Sequence, residues 1–470
     1  MNHPYAHAAA LKRPLPDALA ARLRGRFGER FSTAMAVREH HGRDESPFPV
    51  TPPDGVVFVE STEEVVEVVK ACGAHQVPII AFGTGSSLEG HLLAVQGGVS
   101  IDLSRMNRVL EVAAEDLLVS VQAGVTRKQL NTEIRDTGLF FPVDPGADAT
   151  LGGMTATRAS GTTAVRYGTM RENVLGLTVV TAEGKVIRTG TRARKSSAGY
   201  DLTRLFVGSE GTLGIVTEVT LRLYPVPEAT TAAVCHFPSL DAAVAAVIET
   251  IQLGVPVARC DFVDEVMMRA INAHSRTMLP EAPTLFFEFH GSTSSAREQA
   301  EIVQEVSRSH GGQDFEWATQ PEDRTRLWTA RHNAYFAALQ IRPGSRAVTT
   351  DTCVPISRLA ESIRGARQIL DRAPCPTAIL GHVGDGNFHA ILLINPEDPQ
   401  EIALAETLND EIVRLALDMG GTCTGEHGIG LHKIGYLQDE AGEDAIDLMR
   451  RIKQALDPEG LMNPGKIFRL

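Results

Sequence analysis

The sequence contains no long hydrophobic run and no block of like charge. Its apolar stretches, such as Ala390 to Ile394, are far shorter than the roughly 18 to 20 residues that a membrane-spanning helix needs. Against 45 basic residues stand 58 acidic ones, which gives a net charge of −13. We therefore expect neither a transmembrane segment nor a nucleic-acid partner.

Paired cysteines are also missing, and the N-terminus lacks the pattern of a secretory signal. The six cysteines stand singly, so no CxxC motif suggests a zinc knuckle, an iron–sulfur cluster or a redox dithiol. The N-terminus has no apolar core behind a basic start, and a secretory signal is not expected. Single thiols in such a chain indicate a reducing compartment, so we predict a cytoplasmic protein that is at most peripheral at a membrane.

What is present is an ordinary globular composition, with 43% apolar and 22% charged residues, over a length that allows two to four domains. Up to about Pro227, short apolar strands alternate with helices, which predicts an α+β sheet domain. From Ala232 onward, a β-α-β-α-β series predicts a second, ferredoxin-like domain.

Two glycine-rich stretches follow apolar strands. The first, Phe82 to Gly90, combines three glycines with the hydroxyl groups of Thr84, Ser86 and Ser87, and its backbone N–H groups could hold a pyrophosphate. Taken alone, this loop is better explained as an ordinary turn after a strand. The second, Gly146 to Gly168, suggests a backbone that packs closely against something flat and polar. No G-x-G-x-x-G motif occurs, because Leu88 stands at the sixth place, so NAD is not favoured.

Two histidines flank a predicted hairpin. Asp385-Gly386 between two apolar runs is typical of a two-residue turn, which would place His382 opposite His389 on one face. Two buried imidazoles without partners would be costly, so the pair indicates metal ligation. Glu426 and His427, in a glycine-rich loop, are the best candidates for a third ligand, although a surface loop also explains His427. A His2Glu site suits zinc, manganese or a similar ion.

Together, these motifs resemble one family, the FAD-linked oxidases and dehydrogenases of the vanillyl-alcohol-oxidase type, and within it the cytochrome-type D-lactate dehydrogenases. The segments that carry the resemblance are FGTGSSLEG, GVTRKQLN, FPVDPGADATLGGM, AVRYGTMRENVL, GYDLTRLFVGSEGTLGIVTEVTLRL, VARCDFVDEVMM, LWTARHNA, TDTCVPISRL, GHVGDGNFHAILLINP, GTCTGEHGIG and DPEGLMNPGK. They span about Pro47 to Lys466.

The resemblance implies that residues 1–228, completed by 439–470, hold FAD noncovalently, and that residues 229–438 form a cap that carries the metal site. The residues implied to contact FAD are Gly83, Thr84, Gly85, Ser86, Ser87, Pro145, Gly153, Ser160, Gly161, Glu210, Ile215 and Asn463. The resemblance also implies that His382, His389 and Glu426 bind a divalent metal, that His427 is the catalytic base, and that Arg331 binds the substrate carboxylate.

The implied activity is oxidation of D-lactate, or a similar small D-2-hydroxy acid, to the 2-oxo acid. Electrons would leave FAD for an external cytochrome, quinone or electron-transfer flavoprotein. Relatives that oxidise D-2-hydroxyglutarate have Asn where this chain has Ile391, which favours a small apolar substrate tail. D-2-hydroxyglutarate remains an alternative, with Arg342 or Arg346 as a second cation, and so does glycolate. The same residues would also suit a flavin-free metallohydrolase or a flavoprotein without redox chemistry, as in alkylglycerone-phosphate synthase.

Overall fold

The computed structural model describes residues 14–193 and 195–469. These residues divide into two compact units. The first contains the chain up to Ser160, Gly168–Val226 and the chain from Glu426, and the second contains Gly161–Tyr167 and Pro227–Gly425. Residues 1–13, on which part of the interpretation of the N-terminus rests, lie outside the described chain.

The two units differ from the predicted domains most clearly at residues 426–438, which were expected in the cap. They pack in the first unit because Glu210 accepts hydrogen bonds from the backbone N–H groups of Ile429 and Gly430, at 2.7 and 2.9 Å. The N–H of Leu431 also donates to the carbonyl of Glu89, at 2.8 Å.

The strands of the first unit are β1 (Phe31–Ser32), β2 (Gly55–Phe58), β3 (Ile79–Phe82), β4 (Val99–Asp102), β5 (Val109–Ala113), β6 (Leu118–Gln122), β7 (Leu139–Phe140), β8 (Val174–Val180), β9 (Val186–Gly190), β10 (Ile215–Arg222) and β11 (Tyr224–Pro225). Its helices are Asp17–Phe27, Met35–His41, Thr62–Ala74, Arg127–Glu133, Leu151–Thr157, Met170–Asn173, Leu202–Phe206, Ile434–Ala441 and Glu443–Leu456, with short 3-10 helices at Gly28–Arg30, Ala114–Asp116 and Arg135–Thr137.

One sheet of this unit has the order β1-β2-β4-β3, and its last three strands are parallel. Helix Thr62–Ala74 connects β2 to β3, and its N-cap is Ser61, whose hydroxyl accepts from the Glu64 N–H. The first glycine-rich loop leaves the carboxyl end of β3, which is where open parallel sheets bind ligands. A second, antiparallel sheet has the order β5-β6-β10-β8-β9, and β7 pairs with β11.

The strands of the second unit are β12 (Ala229–His236), β13 (Arg259–Val263), β14 (Thr284–Gly291), β15 (Gln313–Ala318), β16 (Arg346–Thr349), β17 (Thr352–Cys353), β18 (Thr377–Gly381) and β19 (Asn387–Ile394). Its helices are Ala164–Tyr167, Leu240–Gln252, Glu265–Ser275, Thr293–Ser309, Pro321–His332, Ala334–Leu339, Leu359–Leu370 and Pro399–Asp418, with 3-10 helices at Ile356–Arg358 and Val383–Asp385.

These strands form an antiparallel sheet in the order β15-β12-β14-β13-β18-β19-β16, and β17 pairs with β19. Strands β12 to β15 therefore lie in the order fourth, first, third, second, the arrangement of the predicted ferredoxin-like domain. Strand β13 was not predicted from the sequence. In this strand, Cys260 and Phe262 join the core beneath the helices, while Asp261 points to the opposite face because alternate residues of a strand do so.

Among the described residues, no helix combines the length and apolar character that a membrane crossing requires.

Candidate functional site

The two predicted histidines do lie side by side, but in a different register from the expected one. His389 pairs with Leu380 of β18, not with His382, which follows the end of that strand. The turn is longer than two residues, because Asn387 and Phe388 pair with β17 and the N–H of Val354 bonds to the carbonyl of Gly386. The two imidazole rings are nonetheless 5.8 Å apart and nearly perpendicular.

Hydrogen bonds orient both imidazoles in the same way. Nδ1 of His382 lies 2.9 Å from Oδ1 of Asp261, and Nδ1 of His389 lies 3.1 Å from the carbonyl oxygen of Thr350. A carboxylate and a carbonyl can only accept, so Nδ1 of each ring is the donor. The lone pair of each neutral ring is then on Nε2. Metal-binding histidines in proteins are usually fixed in this way, by a hydrogen bond from the other ring nitrogen. The two Nε2 atoms are therefore suitable ligands for a divalent ion.

Asp261 also contacts the predicted substrate-binding arginine. Nη2 of Arg331 lies 2.9 Å from Oδ2 of Asp261, and both side chains are buried. Burial alone would raise the pKa of Asp261, but Arg331 and His382 lower it overall. Nε of Arg331 has no hydrogen-bond partner among the described residues, which leaves a buried donor for a ligand to satisfy.

A second buried carboxylate, Asp351, lies near His389. Its Oδ1 accepts from the side-chain amide of Asn387 at 2.9 Å and lies 3.9 Å from Nδ1 of His389. Its Oδ2 accepts from the hydroxyl of Thr424 at 2.7 Å. Asp351 therefore connects Asn387, at the start of β19, to Thr424, which lies two residues before Glu426 in the sequence.

Glu426 and His427 open the last segment of the first unit. Nδ1 of His427 lies 3.3 Å from Oε1 of Glu89, a buried residue near the end of the first glycine-rich stretch. Burial would raise the pKa of Glu89, but Lys433 and the neighbouring histidines hold it well below its usual range. The assignment of Glu426 as metal ligand and of His427 as base stays a prediction.

The glycine-rich loop after β3 is fixed by contacts on both sides. The hydroxyl of Ser87 donates to Asp44 at 3.1 Å, and the hydroxyls of Thr84 and Ser86 lie 3.2 Å apart. Gly85 has a φ of +76°, which favours glycine, and a Cβ on Gly83 would overlap Oγ1 of Thr150. The loop therefore has the tight turn and the hydroxyl groups that suit a pyrophosphate site.

Three glycines of the second stretch differ in what surrounds them. A Cβ on Gly152 would approach the Cβ of Ala123 to 2.6 Å, so this glycine allows packing within the protein. A Cβ on Gly146 would meet nothing within 4 Å, and one on Gly153 would meet only Thr150. Gly211 is similarly open, with nearest atoms 3.9 Å away. The open glycines fit a bulky, flat group such as FAD.

Two of the predicted FAD contacts use their side chains inside the protein. Both carboxylate oxygens of Glu210 accept backbone N–H groups of the 429–430 loop, and its Oε2 lies 3.3 Å from Nε2 of buried His91. The amide of Asn463 donates to the carbonyls of His91 and Glu210, at 3.1 and 2.8 Å, and its oxygen accepts from Lys466. Neither ring nitrogen of His91 makes a hydrogen bond within the described chain.

The remaining predicted contacts have separate places in the structure. Pro145 is partly buried in the loop after β7. Ser160 ends the first segment of the first unit, and Gly161 begins the second unit. Ile215 starts β10 with its side chain in the core, so any contact with FAD would involve its backbone.

Two family models match the chain. One, described as an FAD binding domain, matches residues 53–190, and the other, described as the C-terminal domain of FAD linked oxidases, matches residues 226–467. The chain belongs to the FAD-linked oxidase family. These matches confirm the predicted flavoprotein oxidoreductase and its FAD, whereas the metal and the individual site residues stay predictions.

Curated relatives cover nearly the whole chain. A probable D-lactate dehydrogenase of Danio rerio is 53% identical over 94% of this chain and 90% of its own. The cytochrome-type D-lactate dehydrogenase of Arabidopsis thaliana is 46% identical over 97% of this chain and 80% of its own. The glycolate oxidase subunit GlcD of Bacillus subtilis is 33% identical over 94% of both chains. The chain thus belongs to the group that contains D-lactate dehydrogenases.

Solved structures confirm the fold. p-Cresol methylhydroxylase matches with a TM-score of 0.80 at 19% identity, covering 97% of this chain and 98% of its own. An alkyldihydroxyacetonephosphate synthase matches with a TM-score of 0.77 at 20% identity, covering 96% and 86%. The predicted two-domain α+β fold of the vanillyl-alcohol-oxidase type is therefore correct.

The predicted cytoplasmic location is wrong. The Danio rerio and Arabidopsis thaliana relatives are named mitochondrial, as are two yeast relatives at 40% and 39% identity. The prediction failed because unpaired thiols indicate only a reducing environment and do not distinguish one such compartment from another.

Sequence reasoning missed three buried carboxylates near the predicted residues, namely Asp261, Asp351 and Glu89. The pattern of Arg259 to Val263, in which charged and apolar residues alternate, could have identified β13 and placed Asp261 on its polar face. Pairing Asp261 with His382 could not be read from the chain, because 121 residues separate them.

Proposed function

We propose that this protein oxidises D-lactate, or a similar small D-2-hydroxy acid, to the 2-oxo acid and passes the electrons to an external acceptor. The observation that carries the proposal is the pair of imidazoles, His382 and His389, each of which donates from Nδ1 and so has the lone pair of its neutral ring on Nε2. It occurs in a chain whose residues 53–190 match an FAD binding domain.

The chain's own residues supply binding, charge and a base. Gly83 to Ser87 would hold the FAD pyrophosphate, and His382, His389 and Glu426 would hold the metal. When bound, FAD supplies the electron acceptor and a divalent ion supplies positive charge beside the substrate hydroxyl. Arg331 donates to the substrate carboxylate, and its unpartnered Nε supports this role. His427 takes the hydroxyl proton.

Two observations favour a small apolar substrate tail over a diacid. Ile391 is buried in an apolar cluster with Leu380 and Leu393, so its part of the sheet offers no group for a second carboxylate. Nη1 of Arg342 lies 2.9 Å from both carboxylate oxygens of Glu401, so this arginine already has a counter-charge. The similarity to a glycolate oxidase subunit keeps glycolate as a second candidate.

An external acceptor follows from the cysteines, because all six are single thiols and the sequence has no iron–sulfur motif. The relatives named as cytochrome-type support a cytochrome in this role.

The test supplies FAD-loaded protein with D-lactate and ferricytochrome c, or a dye acceptor in its place. We expect pyruvate to form, with two ferricytochrome c molecules reduced per pyruvate because each oxidation releases two electrons. An absence of pyruvate with every acceptor would overturn the proposal. Faster oxidation of glycolate than of D-lactate would identify glycolate as the substrate instead.

A further inference from the structure

Glu89 is a buried carboxylate that contacts three side chains of one later segment. Its Oε1 lies 3.3 Å from Nδ1 of His427 and 3.1 Å from Nζ of Lys433, and its Oε2 lies 2.7 Å from Nδ1 of His432. Only 2% of Glu89 is exposed. The residue lies two positions after Ser87, the last residue of the predicted pyrophosphate loop.

The backbone holds the same arrangement in place. The N–H of Leu431 donates to the carbonyl of Glu89 at 2.8 Å. Gly430 has a φ of +53°, and a Cβ at this position would overlap that carbonyl oxygen. The chain around His427 is therefore fixed against Glu89 through both main-chain and side-chain contacts.

The carboxylate determines which nitrogen of His427 can accept a proton. An ionised carboxylate only accepts hydrogen bonds, so Nδ1 of His427 must be the donor in this pair. The lone pair of the neutral ring is then on Nε2. Catalytic histidines in other enzymes are held in the productive tautomer by a carboxylate in the same way.

We propose that Glu89 is the positioning residue of His427, fixing its ring orientation and keeping Nε2 as the proton acceptor. This inference rests on the proposed function, in which His427 takes the substrate hydroxyl proton. The inference also links FAD binding to proton removal. One stretch of nine residues, Gly83 to His91, contains both the predicted pyrophosphate loop and the carboxylate that positions the base.

A purely structural role for Glu89 makes a different prediction, and His432 provides the matched control. His432 forms the shorter contact with the same carboxylate, and its side chain is 26% exposed. If Glu89 only anchors the segment, loss of the His432 contact should harm the reaction as much as loss of Glu89. If Glu89 positions the base, His432→Gln should have little effect.

The experiment is anaerobic stopped-flow reduction of bound FAD by D-lactate in the wild type, Glu89→Ala, Glu89→Gln and His432→Gln. We expect Glu89→Ala to retain FAD and to lower the limiting rate roughly 100-fold, with a change below about threefold in the dissociation constant for D-lactate. Glu89→Gln keeps an acceptor oxygen and should lose only about tenfold. His432→Gln should stay within about threefold of the wild type.

A second readout does not depend on activity. In protein labelled with ¹⁵N-histidine, the neutral His427 signal, assigned with His427→Gln, should report a proton on Nδ1 in the wild type. In Glu89→Ala the two tautomers should mix. If Glu89→Ala does not fold, the comparison of Glu89→Gln with His432→Gln decides.

Two outcomes overturn the inference alone: wild-type rates in the folded Glu89 variants, or an equal loss of rate in His432→Gln. If D-lactate does not reduce the wild-type flavin while another 2-hydroxy acid does, the four-variant comparison is made with that acid. If no 2-hydroxy acid reduces it, the proposed function fails and the inference fails with it.

Discussion

Asp261 accepts a hydrogen bond from Nδ1 of His382 at 2.9 Å and lies equally close to Nη2 of Arg331. One buried carboxylate thus contacts a proposed metal ligand and the proposed substrate-binding arginine. Changing it should therefore affect metal binding.

Asp261→Asn should weaken metal binding roughly 10- to 100-fold, because a neutral amide orients and polarises His382 less well. Metal content after equilibration in a chelating buffer measures this. Glu249→Gln is the matched control, because Glu249 contacts His310 at 2.6 Å in a partly buried carboxylate–imidazole pair elsewhere in the second unit. Equal metal retention by Asp261→Asn and the control would contradict the proposed role of His382.

Thr424→Val should lower metal affinity by up to about tenfold. The substitution removes the hydroxyl that donates to Asp351, and this hydrogen bond fixes the backbone two residues before the proposed ligand Glu426. Thr407→Val is the control, since the hydroxyl of Thr407 donates to the carbonyl of Ala403 on the exposed surface of helix Pro399–Asp418. Competition with a fluorescent chelator gives both affinities. Wild-type affinity in Thr424→Val would argue against Glu426 as a ligand.

Gly83→Ala should reduce FAD affinity at least tenfold, because the new Cβ would overlap Thr150 and displace the loop after β3. Flavin fluorescence during titration of the apoprotein measures the affinity. Gly25→Ala, within helix Asp17–Phe27 and with open space around it, should bind FAD normally and gain about 0.5–1 kcal/mol of stability. Normal FAD binding by folded Gly83→Ala would mean that the loop does not hold the pyrophosphate.

Stability of the first unit should depend on pH through Glu64. Arg30 donates to both oxygens of this carboxylate at 2.6 Å and lowers its pKa. A lowered folded-state pKa stabilises the fold above the unfolded value of about 4.3, and this stabilisation disappears as pH falls below it.

Glu64→Gln should therefore cost about 1–2 kcal/mol at neutral pH, and the difference from the wild type should shrink below about pH 4.3. Urea unfolding at several pH values checks this. Glu298→Gln, an exposed helix substitution, should remain within about 0.5 kcal/mol of the wild type. If the difference in free energy of unfolding between the wild type and Glu64→Gln grew towards acid pH, the proposed role of Glu64 would be contradicted.

The sequence predicted the main architecture because local patterns encode it. The Asp385-Gly386 pattern predicted that His382 and His389 lie side by side, and their rings are 5.8 Å apart. The exact register was missed because a third strand, β17, pairs with the start of β19 and lengthens the turn. A local sequence pattern cannot show that a third strand pairs with the same residues.

The supporting carboxylates could not be predicted for a related reason. Glu89 and His427 are 338 residues apart, so only the folded chain shows that they touch. Residue types and motifs identified the groups suited to ligation and catalysis. The residues that orient those groups depend on long-range packing, which a single sequence does not specify.

The most direct test of the account is the anaerobic visible spectrum of the purified protein before and after addition of D-lactate, L-lactate or D-2-hydroxyglutarate. We predict flavin bands near roughly 370 and 450 nm that bleach with D-lactate and persist with the other two acids. Bleaching by D-2-hydroxyglutarate alone would contradict the proposed substrate, and a flavin that none of the acids bleaches would contradict the proposed chemistry.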